Sequence, residues 1–282
     1  MGSFDQNKAY AAQETDGQFF DDGREIELLH FVYGHNNIDK IRGSPENVLA
    51  AIDEYGRTKK YLMNVGEDKG RIVTDLIAEV KPRTMVELGG YVGYSCILFG
   101  DAVRKAGGER YFSLERDPVF AAVIMSLVDL AGLSDIVKVI VGSSDESIAR
   151  LTSTSQLTHI DLMFLDHYKP AYTTDLKLAE ELGLITKGSV LAADNVIKPG
   201  NPPYLEYVRS SVEDKVKKAS EGGGSHVKGI AETNVKMYEK RYGNANFSQS
   251  KGNPDLVYES KLVNSYEPTG VPDGIEITRC VG

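Results

Sequence analysis

From Thr84 onward the chain alternates short apolar runs with longer stretches of helical period, and this alternation restricts the fold more than any other feature. The apolar runs cover residues 84–88, 110–115, 136–141, 160–165 and 190–193. Between or after them, helical patterns start at Gly93, span 118–130 and 172–184, and return at 203–210. Strands joined by helices of this length run parallel, and a parallel sheet needs cover on both faces. Two further segments, 256–263 and 274–281, alternate as strands and are expected to complete the sheet as a hairpin-like edge. The expected class is therefore α/β, with a mostly parallel, seven-stranded, Rossmann-like sheet between helical layers.

Three helices are expected ahead of the sheet. The first runs from Arg24 through Leu28, Leu29 and Val32, and the second presents Val48, Ala51, Ile52 and Tyr55. Ser44-Pro45-Glu46 opens that second helix with a capping serine and a first-turn proline. The third, 68–79, presents Ile72, Val73, Leu76 and Ile77. Residues 1–22 read as a polar tail, and 23–282 as a single domain. Residues 213–253 break the rhythm: Glu221-Gly222-Gly223-Gly224-Ser225 is linker-like, and the flanks carry little apolar periodicity beyond one short helix around 230–242. An inserted, flexible segment is expected there. Chain direction carries it to the end of the sheet away from the strand C-termini, where it would affect stability or self-association more than chemistry.

The net charge of −9 and pI near 5.2 argue against a nucleic-acid partner, which requires clustered Lys and Arg. A small-molecule substrate fits better, with a second copy of the chain as the one macromolecular partner to consider. No segment approaches the ~18 apolar residues of a membrane span, and residues 1–22 have no apolar signal core. Cys96 and Cys280 read as reduced thiols of a cytoplasmic protein.

The chemistry gathers at strand ends. Asp166 follows one apolar run, and Asp194 with Asn195 follows another, so three oxygen ligands share one rim of a sheet. That is the footprint of a divalent-metal site. Lys169, three residues beyond Asp166, is placed to act as a base on the atom the metal polarises. Glu87-Leu88-Gly89-Gly90-Tyr91-Val92-Gly93 closes the first strand with a glycine turn. It is not G-x-G-x-x-G, and no G-K-[ST] is present, so the turn is wrong for a pyrophosphate. Glu115 ends the second strand, where an acidic side chain grips a ribose diol. Taken singly, the glycine turn is as compatible with a plain strand-to-helix turn, Met63 with a core methionine, and His167 with a structural hydrogen bond.

These stretches resemble the magnesium-dependent catechol O-methyltransferase family. The matching runs are Met63-Asn64-Val65-Gly66, Val86-Glu87-Leu88-Gly89 with Gly93-Tyr94-Ser95, Val141-Gly142-Ser143-Ser144, Phe164-Leu165-Asp166-His167 and Ala193-Asp194-Asn195-Val196. The resemblance implies a class I methyltransferase fold that uses S-adenosyl-L-methionine and Mg2+. It further implies that Met63, Val65, Glu87, Gly89, Tyr91, Ser95, Glu115, Ser144, Asp166 and His167 line the cofactor site. Asp166, Asp194 and Asn195 would hold magnesium, and Lys169 would be the base. A family glutamate that holds the second substrate hydroxyl corresponds to Glu267, six residues before Asp273-Gly274. A parallel strand ending near Val263 would deliver Glu267 to the same rim. Tyr61 and Tyr168 stand where relatives place tryptophans, and this chain has no Trp. With Pro199, Lys198 and Asn195 they would complete the substrate slot.

A phenol near pKa 10 is scarcely ionised at neutral pH, so a metal and a base have work to do on it. Three protein ligands leave room on six-coordinate Mg2+ for two vicinal oxygens, which favours a catechol. Two other readings remain open at this level: a carboxylate O-methyltransferase that uses Lys198 to bind small aromatic acids, and a cofactor-binding interaction module without catalysis.

Overall fold

The structure is a computed structural model that describes residues 3–13, 19–220, 228–230, 232–242, 247 and 249–282; the linker-like run 221–225 lies outside the described residues. Four helices precede the sheet: α1 (Arg24–Tyr33), α2 (Ile38–Ile41), α3 (Pro45–Thr58) and α4 (Gly66–Val80). Then follow β1 (Thr84–Leu88), α5 (Tyr94–Lys105), β2 (Arg110–Glu115), α6 (Pro118–Leu130), β3 (Val137–Val141) and α7 (Ser144–Ser153). The chain continues through β4 (Leu162–Leu165), α8 (Tyr172–Glu181), β5 (Val190–Ala193), α9 (Pro202–Arg209), α10 (Val212–Ser220), α11 (Glu232–Tyr242), β6 (Tyr258–Tyr266) and β7 (Pro272–Cys280).

Local chemistry explains where the helices begin. Ser44 accepts a hydrogen bond from the Asn47 amide, with Pro45 at the first position of α3. Asp117 caps α6 by accepting from the amides of Val119 and Phe120, with Pro118 in its first turn. α7 is an addition to the sequence expectation. Its apolar stripe is thin, Ile148 and Leu151 being its buried aliphatic residues, so its period is faint in the sequence.

The seven strands lie in the order β3-β2-β1-β4-β5-β7-β6. β1 to β5 are parallel, whereas β7 runs antiparallel between β5 and β6. The expected hairpin is present, with its second strand turned inward. β7 is buried along most of its length, as that inner place requires; β6 alternates and can face solvent. Because β6 points the same way as β5, its end carries Glu267 to the rim that bears Asp194. The chain reverses its direction of travel across the sheet between β1 and β4, and in open α/β sheets that switch point is where the binding crevice forms.

Two apolar layers hold the sheet. One joins Leu28, Val48, Ile52, Val73, Ile77, Phe99 and Ile124 from α1 and α3 to α6. The other joins Ile148, Leu151, Tyr172, Leu176, Tyr204 and Val208 from α7 to α9. The N-terminal segment read as a polar tail contributes two buried aromatics, Tyr10 and Phe20. Tyr10 packs against α3, where a Cβ on Gly56 would come within 2.5 Å of its ring, and its hydroxyl donates to Asp53 at 2.5 Å. Among the described residues, no helix is long and apolar enough to cross a membrane.

Candidate active site

A cavity of about 890 Å³ opens at the C-terminal ends of β1, β4 and β5. Around it lie Tyr61, Met63, Val65, Gly89, Tyr91, Ser95, Glu115, Ser144, Asp166, His167, Tyr168, Lys169, Asp194, Asn195, Lys198, Pro199 and Glu267. Glu87 is not among the residues around it. Its side chain is fully buried behind the glycine turn, where Oε2 accepts from Ser113 Oγ at 2.7 Å and from Cys96 Sγ at 2.8 Å. Burial raises its pKa.

The glycine turn is shaped by crowding between β1 and β4. Gly89 adopts φ 86°, and a Cβ there would sit 2.7 Å from the Asp166 carbonyl oxygen. Glu115, expected to meet a ribose, also closes this turn: its Oε2 accepts from the Gly90 and Tyr91 amides at 3.1 and 3.0 Å, and its Oε1 from the Asp117 amide at 2.7 Å. At the far end of the cavity Asp175 Oδ2 accepts from Ser144 Oγ and lies 2.9 Å from His167 Nε2. His167 stacks on Tyr172 at 4.9 Å, and its buried Nδ1 has no hydrogen-bond partner among the described residues. When Nε2 carries the proton toward Asp175, Nδ1 is left as an acceptor.

The acidic end is organised by a residue that motif reading passed over. Lys69, fully buried on α4, reaches Asp194 Oδ1 at 2.6 Å, Glu267 Oε1 at 2.7 Å and Asp273 Oδ2 at 3.1 Å. Burial opposes its charge, but the three carboxylates outweigh burial and hold its pKa well above the ordinary lysine value. A signal was present in the sequence, because Lys69 falls four residues before Val73 and eight before Ile77, on the apolar stripe of α4. A lysine on a core-facing stripe needs buried partners.

Asp194, Glu267 and Asp273 each offer an oxygen, all within 4.8 Å of one another, which makes them a candidate cation cluster. Lys69 already places an ammonium against all three. The oxygens turned away from this cage are different ones. Asp194 takes both its side-chain bonds on Oδ1, from Lys69 and from the Asn195 amide at 2.7 Å. Asn195 donates through Nδ2 to Glu267 Oε1 at 2.7 Å and to Asp273 Oδ2 at 3.2 Å, leaving its Oδ1 unused. Asp166 accepts from Lys169 on Oδ1 at 2.9 Å. Lys169 in turn donates to Tyr172 Oη at 2.7 Å, and that hydroxyl donates to the Asp194 carbonyl at 3.2 Å. Burial, partly offset by Lys69, pushes the carboxyl of Asp194 up to about 7 and that of Glu267 up to about 8.

The excursion between α9 and β6 does not stay at the far end of the sheet. Tyr238 of α11 and Phe247 line the cavity, with ring centroids 4.7 and 6.1 Å from Tyr168. Chain direction placed the start of the excursion; it could not show that α11 turns back toward the rim.

The sheet order, the glycine turn at β1 and the acidic strand ends define a class I methyltransferase. An O-methyltransferase from Bacillus cereus, solved with SAH, shares this fold at TM-score 0.51 and 18% identity, over 89% of this chain and 96% of that one. The O-methyltransferase family matches residues 46–215. Catechol O-methyltransferase of Bos taurus is 40% identical over 188 residues, 67% of either chain. That of Mus musculus is 43% identical over 188 residues, covering 67% of this chain and 69% of the relative. The chain belongs to the catechol O-methyltransferase family and is an S-adenosylmethionine-dependent O-methyltransferase.

Proposed function

We propose that the enzyme transfers a methyl group from S-adenosylmethionine to one hydroxyl of a catechol, assisted by Mg2+. The observation that carries this reading is the set of outward oxygens, Asp166 Oδ2, Asp194 Oδ2 and Asn195 Oδ1, beside Lys169 and Glu267 on one cavity wall. Charge supports it as well. Asp166, Asp194, Glu267 and Asp273 bring four carboxyl groups against Lys69 and Lys169; burial pushes those of Asp194 and Glu267 up, and a divalent cation beside them would offset that burial. Hard oxygen donors of this kind suit Mg2+.

When bound, Mg2+ would stabilise an ionised phenol oxygen and S-adenosylmethionine would supply the methyl group. Asp166, Asp194 and Asn195 would hold the metal. Val65, Gly89, Tyr91, Ser95, Glu115, Ser144, Asp166 and His167 would hold the cofactor, with Met63 on the wall beside the transferred methyl. The protein's own groups then divide the work. Lys169 accepts the proton of the reacting hydroxyl, and Asp166 and Tyr172 fix its Nζ. Glu267 accepts a hydrogen bond from the neighbouring hydroxyl and so sets which oxygen faces the methyl. Tyr61, Tyr168 and Pro199 confine the ring. Holding the partners in line is worth an effective molarity of about 10⁵ M or more.

One observation favours an acid-bearing substrate: Lys198 is exposed at the cavity, with no ion pair from its side chain among the described residues. A carboxylate at the reacting position would face Glu267 and Asp166, so Lys198 fits a remote acid group better than a methyl-ester chemistry. The test is methyl transfer from labelled cofactor to catechols and to aromatic acids lacking the diol, with and without EDTA. Chelator-sensitive labelling of catechols is the expected result; labelling of the acids alone would replace this reading by carboxylate methylation.

A further inference from the structure

Residues 4–11, ahead of α1, form a strap fastened to the turn that carries Glu267. Within that turn the Glu267 amide donates to the Val271 carbonyl and the Gly270 amide to the Glu267 carbonyl, both at 2.8 Å. Its tip is held from outside, because the Pro268 carbonyl accepts from the Tyr10 amide at 2.9 Å. Phe4 packs on the same turn: its ring lies 5.7 Å from that of Tyr266, and a Cβ on Gly270 would come within 2.8 Å of it. Pro268 in turn rests on Gly66, the first residue of α4, where a Cβ would meet its ring at 2.6 Å. Tyr10 is itself fixed on two elements. Its ring occupies the space that the missing Gly56 side chain leaves on α3, and the Ala11 amide donates to the Gly56 carbonyl at 2.9 Å. Its hydroxyl donates to Asp53 on α3 and accepts from Asn64 Nδ2 at 3.4 Å. Asn64 lies between Met63 and Val65, on the loop that lines the cavity before α4.

The side chain and the backbone of Glu267 are thus held by different parts of the chain. Lys69 and Asn195 take Oε1, whereas the strap takes the turn. A carboxylate gripped at one oxygen still shifts with its backbone, so the place of its second oxygen depends on how the turn is seated. The strap adds little to the core, since Tyr10 alone is buried among residues 3–13. Its contacts gather instead on the Glu267 turn and on the loop that carries Met63 and Val65. We propose that Tyr10 is a positioning residue: it seats the Glu267 turn against the loop before α4 and so fixes the carboxylate relative to the cofactor wall. Tyr10 does not line the cavity and acts through Glu267. This inference rests on the catechol reading above, in which Glu267 accepts from the second hydroxyl, and adds to it a residue far from the strand ends in sequence.

The experiment is a double-mutant cycle on kcat/KM for catechol, with Tyr10→Ala made in the wild-type enzyme and in Glu267→Gln. Changes that act through one contact fail to add, whereas independent ones add. Thermal melting and S-adenosylmethionine binding by calorimetry serve as folding controls on every variant. A misplacement of about 1 Å can cost up to about 10²-fold, so Tyr10→Ala should lower kcat/KM about tenfold or more in the wild-type background, chiefly through a higher catechol KM. In Glu267→Gln the same change should cost less than about twofold, because the carboxylate it positions is already disabled. Tyr10→Phe keeps the ring on Gly56 and the amide bond to Pro268, and should recover most of the loss. If Tyr10→Ala does not fold, Phe4→Ala loosens the same turn from its outer side, and its smaller loss should likewise vanish in Glu267→Gln. An equal fold loss in both backgrounds, or no loss in folded variants, overturns the proposal and leaves the catechol reading standing. Normal cofactor binding with no methylation of catechol by the wild type overturns both.

Discussion

Lys69 and Glu267 stand 198 residues apart in the chain and meet with Nζ 2.7 Å from Oε1. Through this ion pair and the one to Asp194, α4 ties the end of β6 to the end of β5. Removing one partner of a buried ion cluster leaves the others uncompensated, at a cost of about 3–5 kcal/mol. Lys69→Met is therefore expected to lose about 3 kcal/mol or more in denaturant unfolding. Adding Asp273→Asn to it should restore part of the loss; a single-variant change under about 1 kcal/mol would contradict the cage.

Asp166→Ala and Asp194→Ala should abolish turnover in proteins that still fold, and exhaustive chelation should do the same to the wild type. The check is methyl transfer beside a melting curve. Full activity in EDTA would exclude metal assistance.

Lys169→Ala tests the base. General bases contribute about 10²–10⁴-fold, so catechol turnover near pH 7.5 should fall within that range. The loss should shrink as the assay pH approaches the phenol pKa of about 10, because the substrate then ionises unaided. A pH-independent ratio between variant and wild type would remove Lys169 from the proton path.

The Asp22–Arg24 pair predicts an acid dependence of stability. The hydrogen bond from Arg24, working against burial, holds the Asp22 carboxyl at about 2, below its ordinary 3.8. A group depressed on folding stabilises the fold above its unfolded pKa and loses that contribution as pH falls through its folded one. Asp22→Asn should melt below wild type at pH 7, with the gap narrowing as pH falls from about 4 toward 2. A gap that stays constant over that window would show that the charge of Asp22 does not matter.

Gly89→Ala is expected to be severe despite its small volume. The added Cβ meets the Asp166 carbonyl at 2.7 Å in a left-handed conformation, φ 86°. Strain of this kind costs about 1–3 kcal/mol or moves the turn, and either outcome should weaken S-adenosylmethionine binding in calorimetry. Wild-type affinity would mean that the turn gives way freely.

The parallel sheet was legible from residue order alone, because a strand buried on both faces must be a short apolar run and its crossover must be a helix. The strand-end acids Asp166 and Asp194, with Asn195, were legible for the same reason: once the strands are placed, the residues that follow them share a rim. Glu267 was singled out by the family resemblance with strand direction in support, and β6 does carry it there. What the linear chain concealed depends on contacts between distant segments. Glu87 stands at the end of a strand like the others, but packing with Cys96 and Ser113 turns it inward, away from the cavity. Lys69 showed only as a misplaced charge on an apolar stripe, and its three partners come from β5, β6 and β7. Tyr238 lies in a stretch whose composition reads as solvated, and its ring reaches the cavity because α11 folds back over the rim. Periodicity and turn chemistry are local, so the sequence determined the elements and the rim on which the acids lie. Ion-pair partners and ring contacts are set by where separate elements dock, and those the tertiary structure alone decided.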